Sequence, residues 1–105
     1  MPSPSAEPPI VDVPDESRFV AVQDGAVAEL VYRTEEGRLV VVHTGVPEEL
    51  EGRGLGARLV RSALDKAERD GLTLVPLCPF ARRWLREHPS DAQKVTVDWT
   101  VAPGR

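Results

Sequence analysis

The stretch that most constrains this 105-residue chain is Val46-Pro47-Glu48-Glu49-Leu50-Glu51-Gly52-Arg53-Gly54-Leu55-Gly56-Ala57. An apolar strand, Arg38 to Val46, runs into a turn with glycine at every second position, and the turn opens directly into an amphipathic pattern. From Leu55 onward, Leu59, Val60, Ala63, Leu64 and Ala67 form one helical stripe, while Arg58, Arg61, Asp65, Glu68 and Arg69 fall on the water side. Within that helix, Arg61 with Asp65, Asp65 with Arg69 and Lys66 with Asp70 are spaced for ion pairs along the surface. Gly71 closes the helix as a left-handed cap would. Glycines in such a turn let backbone N–H groups converge on one point, and the positive end of the helix dipole adds to them. The segment can therefore hold an anion such as a pyrophosphate. The same glycines could serve the turn alone, and at this point both readings stand.

Around this stretch the pattern predicts three strands, a helix, a strand, a helix and a last strand. Phe19 to Val22 is a short strand closed by Asp24-Gly25. Ala26 to Thr34 follows, with Ala28, Leu30 and Tyr32 alternating against Glu29 and Arg33, and Glu35-Glu36-Gly37 turns the chain into Arg38 to Val46. Leu39-Val40-Val41-Val42 is apolar on both faces, which marks this third strand as central. Leu72 to Leu77 is a strand that Pro76 confines to an edge or to a break in pairing. Pro79 opens a second helix at a position that tolerates proline, and Pro89 stops it. Val95, Val97 and Trp99 alternate in a final strand. Five of the ten prolines fall within the first fourteen residues, so residues 1–14 read as a disordered, proline-rich tail and residues 15–102 as the domain.

Composition narrows the function classes. The chain is long enough for one domain with one core. Thirteen Lys plus Arg against seventeen Asp plus Glu give a formal charge of −4, which argues against a nucleic-acid binder. No apolar run exceeds four residues, as in Leu39 to Val42, so no segment is expected to span a membrane. The first fifteen residues carry no Lys or Arg, so no secretory signal is expected and the chain reads as cytoplasmic. Cys78 is the single cysteine, and with two histidines it supplies too few soft ligands for a structural zinc site.

The P-loop pattern needs Lys-Ser or Lys-Thr after its last glycine, whereas Ala57-Arg58 follows Gly56. Gly52-x-Gly54-x-x-Ala57 fits the loose dinucleotide fingerprint, yet the next strand ends in Leu77-Cys78 rather than in an acidic residue. Both nucleotide readings are set aside. Four ordered motifs do match a known pattern: His43-Thr44-Gly45-Val46-Pro47, Gly52-Arg53-Gly54-Leu55-Gly56, Pro76-Leu77-Cys78-Pro79-Phe80 and His88-Pro89. Together, over roughly Arg18 to Asp91, they closely resemble the small acetyltransferase-like family, the minimal branch of the Gcn5-related N-acetyltransferase (GNAT) superfamily.

The resemblance implies an α/β (α+β) fold, a central, mixed, mostly antiparallel sheet flanked by two main helices, that binds acetyl-CoA or CoA, with the pantetheine in a splay between the third and fourth central strands. It implies main-chain contacts to the acetyl-pantetheine from Thr44, Gly45 and Val46. It further implies that Gly52, Arg53, Gly54, Leu55, Gly56, Ala57 and Arg58 hold the pyrophosphate. Its activity would be transfer of an acetyl group to an amine, on a small molecule or on an exposed protein amine. The competing reading is a CoA-binding or protein-interaction module without turnover. Two positions depart from the pattern: Glu51 stands where the superfamily usually has Gln or Arg, and Gly45 where the small relatives commonly place an acidic residue. The oligomeric state is not readable from the chain.

Among the remaining polar residues, Cys78 and His43 are the catalytic candidates. Cys78 precedes Pro79 and so caps a helix, where the dipole favours a thiolate. His43, at the end of a buried strand, reads first as a hydrogen-bonded core histidine. His88 suits the negative end of the second helix. Phe80 and Trp84 read as core, and Arg82, Arg83 and Arg86 as a solvated helix face, with a place near a CoA 3′-phosphate as the alternative for one of them.

Overall fold

The computed structural model describes residues 7–100. Five strands form one sheet in the order β1-β2-β3-β4-β5, with β1 Val11–Val13, β2 Arg18–Gln23, β3 Ala26–Glu35, β4 Arg38–Gly45 and β5 Thr73–Pro76. The first four strands pair antiparallel through short hairpins, and β5 joins β4 in parallel after the crossover helix α1, Leu55–Asp70. Helix α2, Pro79–Glu87, and the short α3, Pro89–Ala92, follow. Among the described residues no helix is long and apolar enough to cross a membrane.

One apolar cluster holds the layers together. The stripe expected on α1 is buried in full: Leu55, Leu59, Val60, Ala63, Leu64 and Ala67 pack on Phe19, Ala28, Leu30, Leu39 and Val41 of the sheet, and Trp84 and Leu85 of α2 join the same cluster. Burying each leucine contributes about 1.5–3 kcal/mol, and cutting Leu64 back to alanine would cost about 2–5 kcal/mol. Gly71 takes a φ of 68°, and the amide of Leu72 returns to Ala67 O at 2.8 Å, closing the helix end.

Three expectations need correction. The tail was expected to run unstructured to Pro14, yet Val11–Val13 is a strand on β2, and its Met1–Ala6 part lies outside the described residues. Here the polar residue faces inward: Asp12 accepts from the buried Tyr32 hydroxyl at 2.5 Å and pairs with Lys66 of α1 at 2.9 Å, while Val11 is exposed. The final strand reduces to a single bridge, Leu74 to Val97, held by the amides of Leu74 and Asp98; residues beyond Thr100 lie outside the described ones. Along α1, Arg61 pairs with Asp91 and Lys66 with Asp12, because tertiary carboxylates replace the neighbours along the helix.

Candidate functional site

The site forms where β4 and β5 part. Their ladder ends at Val41 opposite Pro76, since proline has no N–H to continue it. Both the Leu77 and Cys78 amides then converge on Val41 O, at 3.0 and 3.1 Å, while β4 runs on to Gly45 paired with β3 on its other edge. The edge-or-break role expected of Pro76 is thus met by a splay.

A register shift shapes the end of β4. Tyr32 faces Val41, but Val31 faces His43, so Val42 is a bulge residue without a partner on β3. The bulge flips the alternation after it. Thr44 pairs with the buried Leu30 and so turns to the helix side, where its Oγ1 lies 3.4 Å from Cys78 Sγ. His43 turns to the other face and is exposed, which corrects the reading of it as a core histidine. Its ring leans over Gly45: a Cβ placed on Gly45 would meet His43 Nε2 at 3.0 Å.

Beside the splay, the chain turns through the short 3₁₀ segment Glu48–Leu50 into the glycine loop. Gly52 and Gly54 sit at φ 81° and 77°, values that a side chain would strain, and Gly54 is the N-cap of α1. No side chain caps that helix, no acidic residue occupies its first turn, and the first intrahelical bond is Arg58 N–H to Gly54 O. The amides of Leu55, Gly56 and Ala57 are the orphan donors of a helix start, aimed with the dipole. They open on a cavity of about 540 Å³ lined by Thr44, Gly45, Val46, Gly52, Gly54, Leu55, Gly56, Ala57, Leu50, Glu51 and Phe80. This donor set and cavity fit an anionic, elongated ligand such as CoA.

Eight of the ten residues expected at a cofactor thus line one cavity. Arg53 and Arg58 do not. Arg53 reaches Asp24 in the β2–β3 turn at 3.5 Å, and Arg58 reaches Glu7 at 3.5 Å. Glu51, by contrast, lines the cavity, and among the described residues it has no ion-pair partner. Cys78 is buried at the N-cap of α2, behind Thr44. His88 closes α2 with Nδ1 2.8 Å from Trp84 O, the capping role expected, and its ring stacks on Trp84. Phe80, expected in the core, does pack half-buried against the apolar cluster, but it also borders the cavity, a site role the sequence reading missed; the signal for it was its place one residue into a helix that begins at the splay.

Fold and site together define an α+β domain with an anion-receptive helix start beside a strand splay. The model of the GCN5-related N-acetyltransferase family matches residues 18–95, and the chain belongs to that family. The solution NMR structure of a GCN5-like protein from Staphylococcus aureus superposes with a TM-score of 0.69 at 26% identity, over 90% of this chain and 94% of that one. Among curated proteins no sequence match is found.

Proposed function

We propose that this protein is an acetyl-CoA-dependent N-acetyltransferase acting on an amine. The observation that carries the reading is the uncapped start of α1 opening into the cavity that ends at Thr44, Gly45 and Val46. The amides of Leu55, Gly56 and Ala57 would hold the pyrophosphate, and the free edge of β4 beyond Val41 would hold the pantetheine arm through main-chain groups. When bound, acetyl-CoA supplies an activated acetyl thioester. The protein supplies position and proton handling.

His43 and Cys78 flank the end of β4 from opposite faces. His43 Nε2, poised over Gly45, takes the proton of an incoming amine, the task for which imidazole suits near-neutral pH. It stands over the position where the small relatives carry an acidic side chain. Cys78 Sγ, beside Thr44 Oγ1, would give its proton to the departing CoA sulfur. In a relay its sulfur would form the acetyl thioester as the C–S bond to CoA breaks and CoA leaves as the thiol, and the amine would then displace the Cys78 sulfur, which regains a proton. The acceptor is a cationic amine, consistent with the net acidity of the chain and with the Glu51 carboxylate at the cavity.

A second reading, CoA binding without turnover, draws on the absence of a carboxylate at Gly45. Incubation with acetyl-CoA and a panel of amines, with free CoA followed by a thiol reagent, separates the two. Acceptor-dependent release supports the enzyme; a rise in melting temperature with CoA and no release supports the binding module. If CoA produces neither effect, the cofactor reading itself is wrong.

A further inference from the structure

Packing accounts for only part of the Phe80 ring, and the Arg83 side chain is exposed. Phe80 packs against the apolar cluster and also borders the cavity, and its ring tip abuts the first turn of α1: a Cβ on Gly56 would meet Phe80 Cζ at 2.8 Å. An aromatic ring is therefore set directly beside the orphan amides of Leu55, Gly56 and Ala57, and the absence of a side chain at Gly56 is what lets it sit there. One helical turn on, the Arg83 guanidinium lies 6.0 Å from the ring centroid and is exposed. Its surroundings differ from those of its neighbours. Arg53 and Arg58 face carboxylates, and Arg86 lies over Trp99, whereas Arg83 has no carboxylate partner among the described residues.

A half-buried ring face beside phosphate-binding amides, with an unpaired guanidinium above it, matches the chemistry of a nucleotide end. Bases stack on aromatic side chains with little regard to sequence, and the planar guanidinium is suited to a phosphate monoester. We propose that Phe80 and Arg83 form the subsite for the purine nucleotide portion of the ligand, the base stacking on Phe80 and the ribose 3′-phosphate meeting Arg83. This rests on the reading of the glycine loop as the pyrophosphate site. It assigns Phe80 a binding role beside its packing, and Arg83 one in place of solvation alone.

The test is calorimetric titration of the full chain and its variants with CoA, 3′-dephospho-CoA and 4′-phosphopantetheine. Phe80→Leu, which keeps an apolar side chain but removes the ring atoms beside Gly56, weakens CoA and 3′-dephospho-CoA about fivefold or more and leaves 4′-phosphopantetheine within about twofold. Phe80→Tyr restores the affinity for both CoA forms. Arg83→Gln weakens CoA about fivefold and leaves 3′-dephospho-CoA unchanged. Equal losses for all three ligands, or no loss for CoA, would overturn the subsite while leaving the cofactor reading intact, because the unmodified protein still binds CoA. Failure of the unmodified protein to bind any of the three overturns both.

Discussion

Arg53 Nη1 lies 3.5 Å from Asp24 Oδ2, tying the tip of the glycine loop to the β2–β3 turn and drawing the loop's own cation away from the cavity. Both side chains are exposed, so the pair is worth about 0–1 kcal/mol and an incoming phosphate can compete for Arg53. Replacing Asp24 with Asn should therefore tighten CoA binding by up to about fivefold at low salt. The gain should vanish in the Arg53→Gln background. Titrating the two single variants and the double variant measures this coupling, and an equal gain in both backgrounds would mean that only net charge had changed.

Gly56→Ala should cost stability and cofactor binding together. The added methyl falls 2.8 Å from Phe80 Cζ, so the ring must move, at about 1–3 kcal/mol for overpacking. Adding Phe80→Leu to Gly56→Ala should recover most of the lost melting temperature. A Gly56→Ala protein as stable as the parent would show that the Phe80 ring yields without cost.

The Tyr32–Asp12–Lys66 cluster makes stability fall at alkaline pH. Burial, followed by the hydrogen bond to Asp12 and its negative charge, pushes the Tyr32 phenol well above its usual value of 10.0. A raised folded-state value stabilises the neutral phenol. Its contribution is complete below the unfolded value near pH 10 and is lost as pH rises through the folded value. Thermal melts should therefore decline above about pH 10, and the decline should be shallower in Tyr32→Phe.

Deleting residues 1–14 should destabilise the domain, because it removes β1 and strips Lys66 of its carboxylate. A loss of about 1–3 kcal/mol corresponds to at least 4–8 °C in a domain of this size. Restoring only residues 11–14 should return most of it; an unchanged melting temperature on deletion would mean that β1 carries no stability.

Cys78→Ala should leave CoA affinity within a few-fold and lower turnover at least about tenfold, or 1.4 kcal/mol in the transition state. Mass spectrometry after mixing with acetyl-CoA alone shows an acetyl group on Cys78 only if the thiol acts as a relay. Full turnover in the alanine variant would reduce Cys78 to packing behind Thr44.

The local chemistry of the chain determined most of this architecture. The α1 stripe, its Gly71 cap, the three-strand meander and the glycine turn are written in patterns spanning a few residues, and hydrophobic periodicity reads them directly. The break at Pro76 was legible for the same reason, since a missing N–H ends a ladder wherever it stands. Tertiary structure decided what depends on a partner distant in sequence. Asp12 reads as tail because its alternation is inverted, and only Tyr32 and Lys66, 20 and 54 residues away, make an inward carboxylate favourable. The bulge at Val42 exists only in the register with β3, and it alone turns His43 outward and Thr44 toward Cys78. Phe80 meets Gly56 only once α2 packs beside α1, because a contact across 24 residues follows from packing and not from periodicity.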